Sequence, residues 1–521
     1  MTSHPNESDG ASSRSDGAAH VHSRQAGMGW IAVILLLAAL VWAVNLWRPL
    51  DGRTREPWRE SDLSSIARNY VREGLPFAAP AIDWRGNGPG QVEMELPLFP
   101  WLVSLAHRTL GYHEVTARIG AYLLSLLSLG LFLLLARDTL PTGGAVAAGV
   151  FWAVNPLAAQ VATAIQPEPL MLLGVVGSVL AFRRWLGSGR PVWFLAAAAA
   201  TALAILAKLS AIHVGVILAA LLIRQHGWRG LVRPAPLLLA ALILLPSLVW
   251  YRHAHGYWLA YGNSLGISNQ FHWFGWDLLR SPGRLAGIVT IDLEAIWGWA
   301  GAGLGLMALR ARDRPPAVEL GCSWLGAAGI FYLATARSSG AHWAAYYHLF
   351  SLPGAALLVG AGMSSWQLDP RPWPRRIGAL LAVATVAFSL RGIIRPDHPG
   401  QFVPQHQAAQ AFARLVPPGA LLLVSGGPCV EDGQEVAYNA SYFFYWMDRK
   451  GWNICAEEQS LPAVRGFAAR GAKYFVAERG SLAARSGLEA ALRGRYRVVA
   501  DTPAAVLFDL SGGLPVPALP E

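Results

Sequence analysis

The chain has 521 residues, 54% of them hydrophobic and 14% charged, and a formal net charge of +10. A soluble protein of this length needs more charge to cover its surface, which excludes a water-soluble globular enzyme. The basic balance does not point to nucleic acid, because the arginines sit in loops between apolar blocks and form no basic face interleaved with aromatics.

Residues 1–27, rich in Ser, Gly, Asp, Asn and His, read as a disordered cytoplasmic tail. Met28 to Trp47 is too long for a signal-peptide core and lacks a small-residue cleavage site, so it reads as a retained anchor. Further apolar blocks follow at 117–136, 143–160, 168–183, 193–207, 209–223, 234–251, 284–309, 317–335, 346–363 and 377–392. Each approaches the ~20 residues that cross a hydrocarbon core. The expectation is a polytopic α-helical membrane domain over 28–395, with about eleven transmembrane helices and a long outer loop at 48–116. Cys322 falls inside one span and is expected to be buried there.

Arginine sets the orientation. With the N-terminus cytoplasmic, the inside connections hold Arg137, Arg183, Arg184, Arg190, Arg224, Arg229, Arg233, Arg310, Arg312, Arg314, Arg371, Arg375 and Arg376. The outer connections near 160–167 and 336–345 hold Arg337 alone. The protein is thus expected in the inner or plasma membrane, its C-terminus outside.

From 396 to 521 the composition becomes that of a soluble domain. Helix-like stretches (407–415, 441–450, 481–492) alternate with strand-like runs at 420–425, 473–478 and around Val498 and Val506, which fits a small α/β domain. Cys429 and Cys455 lie in it, on an oxidising side; a disulfide and two free thiols both fit.

Ionisable residues collect at the outer face. In the first outer loop Leu63, Ile66, Ala67, Tyr70 and Val71 recur at helical spacing and Gly74 can end the helix. A short amphipathic helix is therefore expected on the membrane surface, with Ser61 as N-cap and Glu60 and Asp62 at its positive end. Acids in that place also serve simply to stabilise the helix. Glu95 follows at the re-entry to the membrane, then Glu168 between two prolines, Lys208 between the fifth and sixth spans, and His342, Tyr346, Tyr347 and His348 before the tenth. Asp292 and Glu294 lie in the outer part of the eighth. A carboxylate at a membrane edge needs a partner or a task. Each residue has an ordinary interfacial reading alone. Their shared face favours a site at the outer interface.

These residues carry a resemblance. The run Glu60 to Arg68, then Glu95-Leu-Pro-Leu, Pro167-Glu168, the Lys208 turn and His342-x-x-x-Tyr346-Tyr347 resemble membrane glycosyltransferases of the GT-C fold. The group is that of the dolichyl-phosphate-mannose–protein mannosyltransferases and aminoarabinose transferases, and the resemblance spans about residues 28–395. It implies inverting transfer of a sugar from a polyprenyl-phosphate donor to an acceptor hydroxyl on protein, glycolipid or cell-envelope polymer. Asp62 or Glu60 would be the base, Asp62 being favoured, with Glu168 as a second acid. Lys208, with Tyr346 and Tyr347, would contact the donor phosphate. Glu95 corresponds to an acid of a metal site, which His342 or His348 could complete around a divalent ion. The lysine that follows this acid in the family is Leu96 here, so one phosphate contact is missing. The competing classes are a secondary transporter or lipid flippase, and a membrane sensor or assembly factor. No internal repeat supports the first, whose charges would lie near the midplane.

Overall fold

The computed structural model of the protein describes residues 29–51, 57–267, 281–311, 314–368, 371–394, 402–431 and 433–513. The expected tail over 1–27 lies outside these residues.

In lipid a backbone must satisfy its own hydrogen bonds, and the apolar runs do so as helices. The first half of the membrane body contains α1 (Gly29–Ala43), α2 (Pro57–Arg72), α3 (Leu98–Leu110), α4 (Glu114–Arg137), α5 (Thr142–Ala153), α6 (Pro156–Val161), α7 (Glu168–Ser188) and α8 (Pro191–Ala207). The second contains α9 (Val214–His226), α10 (Pro234–Tyr261), α11 (Pro282–Asp292), α12 (Gly298–Arg310), α13 (Pro316–Ala334), α14 (Ala336–Ser339), α15 (Leu352–Leu368) and α16 (Pro372–Ile394). Among the described residues seven helices are long and apolar enough to cross a bilayer, and a pair bent by 63°, His342–Phe350 with Leu352–Gln367, makes an eighth. The shorter apolar helices α1, α5 and α8 complete the set, and every expected span falls on one of these helices. The residues exposed on this body are largely apolar, such as Leu245, Leu248, Leu380 and Val383, as lipid contact requires. Cys322 joins them: it is exposed on α13, not buried as expected.

Close packing places the ends of α7 and α8. A Cβ added to Gly174 would lie 2.8 Å from the Ala200 carbonyl oxygen and from the Ala204 nitrogen, so only glycine admits this approach. The hairpin thereby sets Glu168, first residue of α7, against Lys208, which follows the last turn of α8.

The outer loop departs from expectation. α2 starts at Pro57, where proline's missing N–H costs nothing, so Ser61 lies inside the helix and does not cap it. Nor does α2 lie on the membrane surface. Every residue from Glu60 to Tyr70 is buried, because the membrane body lies on one side and the C-terminal domain on the other. The exposed apolar face belongs instead to α3, where Leu102, Leu105 and Leu110 point outwards while Phe99, Val103 and His107 pack inwards. That face suits the interface between lipid and water.

The C-terminal domain contains α17 (Val403–Ala413), β1 (Leu422–Ser425), β2 (Val430–Glu431), β3 (Gln434–Glu435), α18 (Ser441–Met447), β4 (Gly451–Ile454), α19 (Leu461–Ala469) and β5 (Tyr474–Glu478). It ends with α20 (Arg479–Ala483), α21 (Leu488–Arg495), β6 (Tyr496–Asp501) and β7 (Ala505–Gly513). Its five-stranded sheet has the order β4-β1-β5-β7-β6. β1 runs parallel to β4 and β5, and β7 antiparallel to β5 and β6. The helix expected over 481–492 is broken in two before Gly487, which takes a left-handed φ of 79°. Cys429 and Cys455 form a disulfide with their Cα atoms 5.3 Å apart.

This domain sits on α2. Ser441 Oγ donates to the Trp58 carbonyl at 2.7 Å, and the Trp446 indole donates to the Leu50 carbonyl at 2.6 Å. Arg68 is the centre of the join: its guanidinium meets Asp83 at 2.7 Å and Asp448 at 2.8 Å, and lies over the Tyr445 ring. The 48–116 loop and the C-terminal domain therefore share one face of the membrane body.

Candidate active site

The two acids at the start of α2 have different surroundings. Glu60 is fully buried, pairs with Arg118 of α4 at 3.1 Å and accepts the Ile165 backbone N–H at 2.9 Å. Arg118 also donates to the Thr163 carbonyl at 3.1 Å. Glu60 thus ties α2 to α4 and to the segment leading into α7, the work of a structural ion pair.

Asp62 has no ion pair at comparable distance among the described residues. Its Oδ1 accepts the Trp84 indole N–H at 2.9 Å, and its Oδ2 is buried without a hydrogen-bond partner among the described residues. Burial, with a smaller push from the Asp83 charge, raises its carboxyl to about 7, against the pull of the Trp84 hydrogen bond, the Arg59 charge and the nearby Ser441 hydroxyl. A buried carboxyl raised in this way, with a single firm hydrogen bond, is suited to exchanging a proton.

Arg59 is the cation felt by Asp62, and a second cation, Lys208, belongs to the same charge network through Glu168. Arg59 pairs with Glu95, and Lys208 pairs with Glu168. Lys208 Nζ also lies 4.6 Å and 4.7 Å from the ring centres of Tyr346 and Tyr347, held by the π faces. In each ion pair the cation is the more exposed partner, 12% against 6% for Arg59 and Glu95 and 16% against 3% for Lys208 and Glu168. All four side chains are largely buried, the carboxylates slightly more so than their cations. Although burial works against its charge, the Arg59 guanidinium is held protonated beyond its ordinary value by Glu95, and beyond that by Asp62 and Glu168.

Of the residues singled out in the sequence, Glu168, Tyr346 and Tyr347 surround Lys208, and Glu95 pairs with Arg59, whose charge is felt by both Asp62 and Glu168. The expected metal set is not gathered. Glu95 is taken by Arg59, and His342 lies 3.4 Å from Glu294 on the surface. His348 is fully buried: Nδ1 meets Asp292 at 2.9 Å and Nε2 meets the Ser339 carbonyl at 2.9 Å. With both ring nitrogens engaged, neither is left to bind a cation. Asp292 closes this unit by accepting the Trp297 indole N–H at 2.8 Å, across the π-helical turn Leu293–Trp297. Among the described residues the one group of potential ligands close enough to share an ion is Cys429, Cys455 and Glu457, whose sulfurs are bonded to each other. The residues present do not fit the expected metal site.

Sequence reasoning missed Arg59, Trp84 and Arg118. Arg59 had a legible signal, its position three residues before Asp62 on the same helical face. Trp84 and Arg118 reach the site only through the tertiary fold.

Residues 94–251 match the family of dolichyl-phosphate-mannose-protein mannosyltransferases. No curated protein matches by sequence. Among solved structures the chain is similar to ArnT from Cupriavidus metallidurans in the apo state, with 17% identity, a TM-score of 0.64, and coverage of 93% of this chain and 98% of that one. The same ArnT bound to undecaprenyl phosphate gives a TM-score of 0.60 at 16% identity over 93% of this chain and 98% of that one. The oligosaccharyltransferase AglB from Archaeoglobus fulgidus, in complex with an inhibitory peptide and a dolichol-phosphate, aligns at 13% identity and a TM-score of 0.54 over 86% of this chain and 69% of that one. The chain is a multi-pass membrane protein of the GT-C fold, similar to the dolichyl-phosphate-mannose–protein mannosyltransferase and ArnT group.

Proposed function

We propose that the protein transfers a sugar from a polyprenyl-phosphate donor to an acceptor hydroxyl at the outer membrane face, with inversion at the anomeric carbon. The observation that carries this reading is a buried carboxyl at Asp62, held through one oxygen by Trp84 and raised by its burial, together with the cations Arg59 and Lys208 in their ion pairs with Glu95 and Glu168. Lipid phosphates bound to the similar ArnT and AglB proteins support the donor class.

The reaction needs a base for the acceptor proton and positive charge for the departing phosphate. Asp62 Oδ2 takes the proton as the acceptor oxygen attacks the anomeric carbon. The bond from that carbon to the phosphate oxygen breaks, and its electron pair leaves with the polyprenyl phosphate. Lys208, held between Tyr346 and Tyr347, binds the phosphate. Glu168 holds the lysine in place through their ion pair. No step runs through a metal.

The test presents membranes containing the protein with undecaprenyl-phosphate hexoses, pentoses and amino sugars, and follows free undecaprenyl phosphate and glycosylated product by mass spectrometry. Sugar-dependent product with the wild type and none with Asp62→Asn is the expected result. Consumption of no donor, alongside movement of intact lipid between leaflets, would replace the transferase reading with a flippase.

A further inference from the structure

Arg59 has no task in the reading above beyond its charge, yet its placement is specific. It stands three residues before Asp62, so the two side chains emerge on one face of α2 as neighbours. Among the described residues one terminal nitrogen, Nη2, is committed to Glu95, and Nη1 makes only a long contact of 3.5 Å to the Leu265 carbonyl. A guanidinium has five N–H donors in a rigid fork that suits phosphate oxygens, so most of its capacity is unspent. Its charge is felt by Glu95, Asp62 and Glu168, the last being the partner of Lys208. Leu96, next to Glu95, donates its N–H to the Leu206 carbonyl at 2.8 Å, two residues before Lys208, so the Arg59–Glu95 pair from α2 and Lys208 from the turn after α8 meet in one neighbourhood.

Resting on the transferase reading, we propose that Arg59 is the second cation of the donor phosphate site, gripping the polyprenyl phosphate together with Lys208 and setting the sugar's anomeric carbon beside Asp62. The pattern of charge explains how the site can admit an anion. Glu95 and Glu168 each balance one cation, and a phosphate competes with these carboxylates for the same donors. The phosphate wins because it takes fork donors from Arg59 and the ammonium of Lys208 at once. Arg59 thereby fills from α2 the phosphate contact that Leu96 does not supply. Because phosphate and base then share one helix face, the distance between leaving group and base is fixed by a single rigid element.

The experiment measures binding of undecaprenyl phosphate, with undecaprenol as the uncharged control, to the full-length protein in nanodiscs. Wild type is expected to prefer the phosphate, and Arg59→Gln to bind it about tenfold or more weakly, the scale of a lost charged hydrogen bond. Arg59→Lys keeps the charge but loses the fork, so it should bind more weakly than wild type and more tightly than Arg59→Gln. Glu95→Gln breaks the same ion pair but keeps the guanidinium, so it should bind as tightly as wild type or more tightly. Two results overturn the proposal: Arg59→Gln binding like wild type while Lys208→Ala loses the phosphate, or Glu95→Gln and Arg59→Gln weakening binding alike, which would make the ion pair a structural strut. If wild type itself does not distinguish phosphate from alcohol, the transferase reading fails first and takes Arg59 with it. Melting curves of Arg59→Lys and Glu95→Gln check that each variant folds; if Arg59→Gln does not fold, weaker binding by Arg59→Lys but not by Glu95→Gln supports the proposal, and equal weakening by both overturns it.

Discussion

The indole N–H of Trp84 donates to Oδ1 of Asp62 at 2.9 Å, linking the loop that rests on the C-terminal domain to the carboxyl that α2 presents. Trp84 packs against both the membrane core and the core of that domain, so the orientation of Asp62 depends on how the two halves of the protein meet. It is a positioning residue, and its hydrogen bond favours the ionised carboxylate. Trp84→Phe removes that bond and raises the Asp62 pKa above about 7. The acidic limb of kcat/KM should move to higher pH, with a several-fold loss at neutral pH and recovery about two units above it. A profile that drops in height without shifting would reduce Trp84 to packing.

The neighbouring acids of α2 should separate cleanly. Glu60→Gln leaves Arg118 charged and fully buried without its carboxylate, a loss on the order of 3–5 kcal/mol when one partner of a buried pair is removed. The variant should unfold at a lower temperature in detergent and lose activity with its structure. Asp62→Asn removes a costly buried carboxyl and should unfold at or above the wild-type temperature while transfer stops. Equal destabilisation by both would contradict the division of labour.

Lys208 is held by ring faces, so the rings matter more than the hydroxyls. Tyr347→Phe preserves the π face and should leave the donor KM close to wild type, whereas Tyr347→Ala should raise it several-fold, in line with about 1–2 kcal/mol for a partly desolvated cation–π contact. Steady-state kinetics over donor concentration checks both, and kcat should move less than KM.

The disulfide closes a loop over a sequence separation of 26 residues. The chain-entropy estimate for a loop of that size is about 3 kcal/mol, so Cys429→Ser with Cys455→Ser should lower the stability of the C-terminal domain by that order. Limited proteolysis within 403–513 reads the change, and thiol labelling of the wild type should modify Cys322, which is exposed, before reduction and all three cysteines after it.

Much of this protein is legible in its sequence, and the illegible part has a physical pattern. The spans follow from apolar length, a one-dimensional property, and each falls on a helix. The helical face of Leu63, Ile66, Ala67 and Tyr70 was equally readable, but apolar periodicity says only that a face is covered, not by what. The covering elements proved to be the membrane body and α18, so α2 is buried where a surface helix was expected. The exposed stripe of α3 was hidden by the prolines around it, Pro97 and Pro100. In the site, Asp62, Glu168 and Lys208 could be picked out because charge is rare in apolar sequence. What separates Asp62 from Glu60 is Arg118, 58 residues away, and no local pattern carries that. His342 and His348 looked like metal ligands by residue type, yet their partners Glu294 and Asp292 lie in the eighth span.

The most direct test of the central claim is the pH dependence of kcat/KM for transfer from an undecaprenyl-phosphate sugar, measured for wild type and Asp62→Asn. Asp62 must be ionised to accept the proton, and burial has raised its pKa to about 7. Activity should therefore rise roughly tenfold per pH unit below that value and level off above it, with Asp62→Asn at background throughout. A wild-type rate that stays flat from about pH 5 to pH 8, or an Asp62→Asn variant with wild-type turnover, would contradict the account.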